Sequence, residues 1–292
     1  MSNGINARQN EPNSLAMLAA QRNLYTVVYR IDNLNFILSV CLPLVLAIIQ
    51  GFGAPWSWVR FCSYGLALIM LVLSLVIKNT CKKKKALAAS IQLKFDTYVF
   101  QMPWDQKLFG KEKNLNAEIA DNSAKVLANE KEKKKLHDWY APLVDSLPLE
   151  KGILACQREN YHWDAGLRKR YRITAIIAVG IIIVGIFVLG IARNESTQEL
   201  IFRFIFVAPM LSWLFSLLND LREDNERLKV LDEEINSSVA KQMDDLQVIE
   251  KDLTEHRKSA VKIPDLIYNC FKDNDEDKEH RIVELEIGTG RE

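Results

Sequence analysis

Four stretches of the chain are apolar and almost free of charge, and they predict four membrane-spanning helices. The clearest is residues 173–192, which contain no charged residue and would rise about 30 Å as a helix, the thickness of a bilayer's hydrocarbon core. Similar stretches lie near residues 34–50, 61–77 and 200–219. The pattern therefore predicts two transmembrane hairpins, within residues 33–78 and 173–219.

Outside the hairpins, apolar residues recur every three or four positions, which is typical of amphipathic helices. In the loop between the hairpins, Leu87, Ile91, Phe95 and Tyr98 fall on one helix face, and Pro103 ends the run. A longer run follows the second hairpin, and its apolar face would pack either on the loop helices or on a second copy of the chain. The predicted fold is an all-α integral membrane protein.

Basic residues beside the spans predict which side of the membrane each segment occupies. Lys78 and residues 82–85 follow the second span, and four basic residues within residues 168–172 precede the third. Such residues stay on the cytoplasmic side, so both termini are expected there. The predicted segments are a cytoplasmic N-terminal helix (1–32), the first hairpin (33–78), a cytoplasmic helical loop domain (79–172), the second hairpin (173–219), a long amphipathic or coiled-coil helix (220–263) and an acidic tail (264–292).

The segment before the third span, residues 156–172, is dense in charged and aromatic side chains. It runs into the span without a proline or a glycine pair. We therefore expect one continuous helix across this junction, so that a ligand bound on the polar side would move the span.

Composition and motifs exclude several classes of function. A formal net charge of +1 gives no basic surface of the kind that binds DNA or RNA directly. No phosphate-binding glycine loop, HExxH or Gly-x-Ser-x-Gly motif is present, and the four histidines are isolated. Neither an enzyme nor a bound cofactor or metal is therefore expected. The spans carry no ionisable group in mid-bilayer, which disfavours a charge-coupled transporter.

The fourth span places three polar side chains on one helix face, at steps of four and three residues: Ser212, Ser216 and Asn219. Such a stripe lines a water path when several copies assemble, so a homo-oligomeric pore is one interpretation. The alternative is that the hydroxyl groups hydrogen-bond to neighbouring helices, which is the commoner role of serine in membranes.

Aromatic and cationic side chains in the loop domain indicate a ligand that contains bases and phosphates. The candidate ligand-binding residues are Trp104, Trp139, Tyr140, Arg158 and Trp163. Rings stack on bases, and guanidinium groups pair with phosphates. The alternative is that the rings form the core of the domain and that the arginines set the topology.

Several separate motifs resemble the bacterial four-transmembrane SMODS-associated effectors. They are INARQN and LAAQRNLY near the N-terminus, IQLKFDTYVFQMPW and WYAPL in the loop, and CQRENYHWDAGLRKRY before the third span. The similarity covers residues 1 to about 220 and includes two hairpins around a helical loop. Where the family typically has a Gly-Leu-Pro-Trp-Asn-like loop, residues 101–105 read QMPWD.

The resemblance implies that the protein is the effector, the component that kills the cell, of a cyclic-oligonucleotide anti-phage system. In such systems a synthase related to cyclic GMP-AMP synthase makes a cyclic nucleotide on infection. The effector binds this nucleotide and breaches the bacterial inner membrane, which causes abortive infection. The implied partners are membrane lipid, a cyclic oligonucleotide from the partner synthase, and further copies of the chain.

The residues and the resemblance together give one hypothesis of mechanism. A ligand among the five loop residues would reorder helices joined to the third span, and oligomers would open along the fourth. A function of a different class remains open: a membrane-anchored scaffold that recruits partners through its C-terminal helix. A transporter comes third.

Overall fold

The computed structural model describes residues 2–42, 45, 57–192, 196–237 and 241–264, and within them the chain is helical, without strands. The α-helices are α1 (Ile5–Gln9), α2 (Pro12–Phe36), α3 (Ser57–Val99), α4 (Gln106–Phe109), α5 (Asn116–Leu127), α6 (Glu130–Lys134), α7 (Leu149–Ala192), α8 (Thr197–Ile235) and α9 (Met243–Ser259). A π-helical segment, Ile37–Cys41, follows α2, and a 3₁₀ segment, Pro142–Ser146, precedes α7. The prediction of an all-α fold is confirmed. Residues 43, 44 and 46–50 of the first predicted span and the tail from residue 265 lie outside the described residues.

Helix α3 joins the predicted second span to the predicted loop helix in one run of 43 residues. The lysines of residues 82–85 lie inside it and do not interrupt it. Lysine has a high helix propensity, and neither glycine nor proline occurs between Gly65 and Pro103. The end of the predicted span at Lys78 is therefore not the end of the helix.

Helix α7 extends over 44 residues, which confirms the expected continuity across residue 172. It begins directly after Pro148, which cannot donate the backbone hydrogen bond that a helix interior requires. Among the described residues, α7 is the one helix long and apolar enough to cross a membrane, with a mean hydropathy of 3.0 over its most apolar 18 residues.

The segment predicted as one amphipathic helix, residues 220–263, belongs to two helices. Helix α8 ends at Ile235 and α9 begins at Met243. The residues that follow α8 are Asn236 and Ser237, whose short polar side chains compete with a helix for backbone hydrogen bonds. The prediction of a single helix was wrong because the apolar period continues on both sides of this break.

Two compact units divide the chain. One comprises Met1–Val27, Lys84–Lys169 and Glu223–Glu292, and is called the polar unit below. The other comprises Val28–Lys83 and Arg170–Arg222, and is called the apolar unit. Each unit takes part of α2, α3, α7 and α8.

The core of the polar unit is built on one face of α3 and on the helices packed against it. Ile91, Phe95 and Val99 of α3 are fully buried. Tyr98, which the sequence placed on the same face, is 45% exposed, and its hydroxyl donates to Glu11 at the surface. Val99 instead completes the buried face at the end of the helix.

Helix α9 packs into the same core through Leu246, Ile249 and Leu253. Of the two partners considered for the C-terminal apolar face, the loop domain is the one observed. This face is therefore occupied within the chain.

The apolar unit has a small core and an apolar outer surface. Its core is formed by Val40, Val179, Val207, Met210 and Leu214. Outside this core, large apolar side chains of α3 and α7 lie exposed, and the largest exposed fractions include Leu75 (66%), Ile181 (68%) and Ile191 (76%). Most of the large apolar side chains exposed in the described chain lie in this unit. Exposed apolar surface of this kind marks a contact with a membrane or with another protein.

Candidate functional site

Trp104 lies at the start of the loop that carries α4. Its indole Nε1–H donates to the carbonyl oxygen of Gly110 at 2.9 Å, and its ring centroid lies 5.3 Å from that of Phe109. The loop is also held from α9, because Gln247 donates to the carbonyl oxygen of Pro103 at 2.7 Å. Trp104 is half-buried and therefore partly accessible to a ligand.

Asp105 stands where the resembled family typically has asparagine, and it caps α4. Its carboxylate accepts hydrogen bonds from the backbone N–H groups of Lys107 at 2.6 Å and Leu108 at 3.4 Å. Asparagine and aspartate are both good N-caps, so the departure from the family pattern is compatible with the same local backbone.

Tyr140 belongs to the core of the polar unit and is 1% exposed. Its ring centroid lies 6.2 Å from that of Phe95 and 5.3 Å from that of Phe100. The side chain of Gln9 exchanges two hydrogen bonds with its backbone, at 2.8 and 3.1 Å. A ligand cannot stack on Tyr140 in this conformation. The neighbouring Trp139 is half-buried against the same core.

Arg158 and Trp163 both lie on α7. The Arg158 guanidinium donates to the carbonyl oxygen of Ile235, the last residue of α8, at 3.4 Å. The Trp163 side chain lies outside the described part of the chain. Ligand contact at the five candidate residues stays a prediction.

A buried cluster of charged and polar groups surrounds the Tyr140 hydroxyl. This hydroxyl donates to Asp96 at 2.5 Å. Arg257 of α9 donates to Asp96 at 2.7 Å and to Glu250 at 3.0 Å. Gln157 of α7 donates to the other oxygen of Glu250 at 3.1 Å. Because burying an unpaired charge is costly, these contacts tie α3, α7 and α9 together.

One guanidinium group in this cluster faces two carboxyl groups, and the ionisation of Glu250 is changed as a result. Burial, followed by the nearby negative charge of Asp96, raises the pKa of Glu250 to about 8. Glu250 is therefore mainly neutral at pH 7 and shares a hydrogen bond with Asp96. Burial also raises the pKa of Tyr140 well above its ordinary value, so its hydroxyl remains a donor.

A second buried cluster joins α7, α8 and the residues after α9. Arg168 donates to Asp164 at 2.8 Å, to Asp224 at 2.6 Å and to the carbonyl oxygen of Val261 at 2.5 Å. His256 donates to Asp164 at 2.5 Å, and the Val261 N–H donates to Asp224 at 2.7 Å. Burial opposes the ionisation of Asp164, but Arg168 and His256 outweigh it and hold its pKa far below the usual range.

Sequence analysis missed both clusters, although a signal for the first was present. Asp96 follows the buried Gln92 by four residues and precedes the buried Val99 by three, so the pattern places it on the buried helix face. Glu250 follows Leu246 by four residues and lies on the apolar face of α9 in the same way. A carboxyl group on a buried face requires a buried partner, and that requirement was the available signal.

Of the three predicted pore-lining residues, Ser212 and Asn219 are exposed on α8 and Ser216 is half-buried. The Ser216 hydroxyl accepts a hydrogen bond from the Lys78 ammonium at 2.7 Å, and Lys78 also pairs with Asp220 at 2.9 Å. The Ser216 contact fits the alternative interpretation, in which these hydroxyl groups hydrogen-bond to a neighbouring helix.

Within the part of the chain that the structure describes, no cluster of three or more histidine, cysteine, aspartate or glutamate side chains is arranged to hold a metal ion. Among the described residues, Cys41, Cys81 and Cys156 form no disulfide bond. Arginines are the groups that suit an anionic ligand.

Comparison with protein families gives a match over nearly the whole chain. The model of the SMODS-associating 4TM effector domain matches residues 3–285. Comparison with curated proteins and with solved structures gives no match. The helical fold and the apolar unit agree with a membrane domain of this kind. The chain therefore belongs to the SMODS-associating 4TM effector family, whose members are membrane effectors associated with cyclic-oligonucleotide signalling.

Proposed function

We propose that this protein is a pore-forming effector that opens the bacterial inner membrane when it binds a cyclic oligonucleotide. The observation that carries the proposal is the outer surface of the apolar unit, where large aliphatic side chains of α3 and α7 are exposed. In water each such side chain would cost about 1.5–3 kcal/mol relative to burial, and a bilayer removes that cost. The effector therefore acts within the membrane. The basic residues beside the predicted spans favour an orientation with both termini in the cytoplasm.

The proposed ligand is recognised by the polar unit. A cyclic oligonucleotide presents bases for stacking and at least two phosphates for guanidinium groups. Trp104 and Trp139 are half-buried and have ring surface left to contact a base. Arg158 supplies the charge, and Trp163 completes the site. Tyr140 contributes only if its ring leaves the space beside Phe95 and Phe100, so its contact requires an opening of the core.

Helix continuity supplies the route from ligand to membrane. Arg158 and the third predicted span belong to the same helix, α7, and Trp104 lies close in sequence to the end of α3. A ligand that binds the active arrangement more tightly than the resting one shifts the population toward it. A shift from mostly closed to mostly open requires a difference of about 5.5 kcal/mol. A forked pair of hydrogen bonds from Arg158 to a phosphate, at about 1.5–3 kcal/mol each, together with base stacking at about 1–3 kcal/mol per base, is of this size.

The pore itself is proposed to form between copies of the chain. Four helices from one chain leave no room for a wide channel, so α8 of each copy would contribute its polar face to a shared path. The residues proposed to line it are Ser212, Ser216 and Asn219.

The alternative of a scaffold that recruits partners through its C-terminal helix receives less support. The apolar face of α9 is buried against the loop domain of the same chain through Leu246, Ile249 and Leu253. A partner would have to displace this contact before it could bind the helix.

Dye release from liposomes tests the proposal. Purified protein is inserted into vesicles, and release is followed with and without a panel of cyclic dinucleotides and cyclic trinucleotides. We expect release with at least one nucleotide and none without. Absence of release with every nucleotide, despite correct insertion, would overturn the pore-forming proposal.

Two substitutions test the proposed ligand site. Arg158→Ala and Trp163→Ala should abolish nucleotide-dependent release and leave insertion unchanged. The matched control for Arg158 is Lys229→Ala, because Lys229 is a cation whose side chain is 79% exposed on α8. If both site variants release dye as the parent does, the ligand binds elsewhere.

A further inference from the structure

The C-terminal segment of the polar unit contacts two long helices close to the limits of that unit. The polar unit ends on α7 at Lys169 and resumes on α8 at Glu223. Arg168 immediately precedes the first limit, and Asp224 immediately follows the second. The two side chains are paired at 2.6 Å. Beyond these limits, the same two helices continue as the third and fourth predicted spans.

Val261 contacts both members of this pair through its backbone. Its N–H donates to Asp224 at 2.7 Å, and its carbonyl oxygen accepts from Arg168 at 2.5 Å. Five residues earlier, at the end of α9, His256 donates to Asp164, which also accepts from Arg168. Residues 256–261, called the C-terminal clasp below, therefore connect α7 to α8 through these hydrogen bonds.

These contacts lie in a buried setting. Asp224 is fully buried, and Arg168 and His256 are 5% and 3% exposed. Arg227 also donates to Asp224, at 2.6 Å, so both oxygens of this carboxylate are used. In such surroundings a hydrogen bond to a charged group is stronger than at the surface, and removing one partner leaves the other charge unpaired.

The clasp differs from the middle of α9 in the type of interaction that attaches it to the other helices. The middle of α9 is anchored by apolar side chains in the core, whereas His256 and Val261 act through hydrogen bonds to charged groups. Arg257, in the same segment, donates instead to Asp96 and Glu250. His256 and Val261 are therefore the clasp residues whose hydrogen bonds reach charged groups of α7 and α8.

We propose that the C-terminal clasp is an autoinhibitory contact: it holds α7 and α8 in the resting arrangement, and its release accompanies activation. This inference rests on the proposed function, since it names how the same effector is kept closed. Its partner on the chain is the Arg168–Asp224 pair. Release of the clasp frees α7 and α8 to change their arrangement around Arg168 and Asp224.

One backbone hydrogen bond can be removed with a well-matched pair of variants. Val261→Pro deletes the N–H that Asp224 accepts, and Val261→Ala keeps it. The preceding residue, Ala260, has φ −46° and ψ 130°, an extended conformation that a following proline tolerates. Because a hydrogen bond to a buried charge is lost, we expect nucleotide-free dye release to rise about tenfold or more in Val261→Pro relative to Val261→Ala.

A second pair covers the case in which the proline variant fails to fold. His256→Ala removes the contact with Asp164, whereas Glu255→Ala changes a neighbouring exposed side chain that pairs only with Lys258 among the described contacts. Hydrogen exchange of residues 256–264 checks each variant directly. Exchange should be faster in Val261→Pro and His256→Ala than in their controls.

The outcomes separate this inference from the proposed function. If the parent releases dye with a cyclic nucleotide, but both clasp variants stay as closed as their controls without it, the clasp is not autoinhibitory. If no nucleotide causes the parent to release dye but the clasp variants release it, the autoinhibitory role is supported and activation by a cyclic nucleotide is contradicted. If neither the folded clasp variants nor the nucleotide-treated parent release dye, both the pore-forming function and the autoinhibitory role of the clasp are contradicted.

Discussion

Asp96 accepts a hydrogen bond from the Tyr140 hydroxyl, with 2.5 Å between the two oxygens, at the centre of the polar unit. Replacing Tyr140 with phenylalanine keeps the ring and removes this donor from a fully buried carboxylate. We expect the free energy of unfolding to fall by about 1–3 kcal/mol. Thermal unfolding in detergent, followed by circular dichroism, measures the change.

Tyr98→Phe is the matched control, because the Tyr98 hydroxyl donates to Glu11 at the protein surface. Its effect should be within about 0.5 kcal/mol, since water replaces the lost bond. If Tyr140→Phe were as stable as Tyr98→Phe, the buried cluster would not contribute to stability as argued.

The helices could be predicted from the sequence where no residue that favours leaving a helix competed with the apolar period. The run into the third span carries neither proline nor a glycine pair, and α7 is continuous there. After Ile235 the apolar period continued, but Asn236 and Ser237 locally favoured leaving the helix. Periodicity reports which face is buried; it does not report where the backbone breaks.

The candidate site was harder to predict because one side-chain type serves two purposes. Tyr140 has the ring that base stacking requires, yet packing against Phe95 and Phe100 uses the same ring in the core. The helical period places the carboxyl groups of Asp96 and Glu250 on buried faces, but it does not say which residue pairs with them. The three-dimensional structure identifies that partner as Arg257.

Glu250 should make stability depend on pH in the neutral range. Its pKa in the folded protein is about 8, against an ordinary value of 4.5. Between these values the folded state binds a proton that the unfolded state releases, so stability falls as pH rises from about 4.5 to 8. The contribution is fully present below 4.5 and is lost above 8.

Glu250→Gln tests this dependence, since an amide cannot ionise but still donates a hydrogen bond. The variant should lose less stability than the parent between pH 5 and pH 9, by a margin that grows with pH. Chemical denaturation at several pH values measures it. Glu255→Gln, at an exposed position of the same helix, should keep the parent's profile. Equal slopes for parent and Glu250→Gln would contradict the assignment.

Asp245 should control the start of α9. Its carboxylate accepts the backbone N–H of Gln242 at 3.0 Å, and the Gln242 side chain in turn accepts the N–H of Asp245, which together form a capping box. Asp245→Ala should destabilise the helix by about 0.5–2 kcal/mol. Hydrogen exchange in the first turn of α9 should accelerate accordingly.

Asp244→Ala is the control for this cap, because Asp244 lies in the same first turn and interacts equally with the helix dipole. The difference between the two variants isolates the capping hydrogen bond. Similar exchange in both would show that charge alone, and not the cap, stabilises this end.

The polar face of α8 separates a pore from ordinary helix packing. Ser212 and Asn219 are exposed, whereas the Ser216 hydroxyl accepts a hydrogen bond from Lys78. If the exposed pair lines a water path, Ser212→Leu and Asn219→Leu should each slow nucleotide-dependent dye release, because an apolar side chain disfavours water in a narrow channel. Ser216→Ala should slow release less than either leucine variant, because Ser216 is half-buried and its hydroxyl already accepts a hydrogen bond from Lys78.

Phe215→Leu controls for a change of side-chain volume on α8 that leaves polarity unchanged, because Phe215 is exposed and lies three residues after Ser212 on the same helix face. Insertion of each variant is measured first, so that lost release is not confused with lost protein. Slower release in Ser212→Leu and Asn219→Leu, with Phe215→Leu unchanged, would support the pore. Parental release in all three would mean that this stripe packs against neighbouring helices, and that the water path runs along another face.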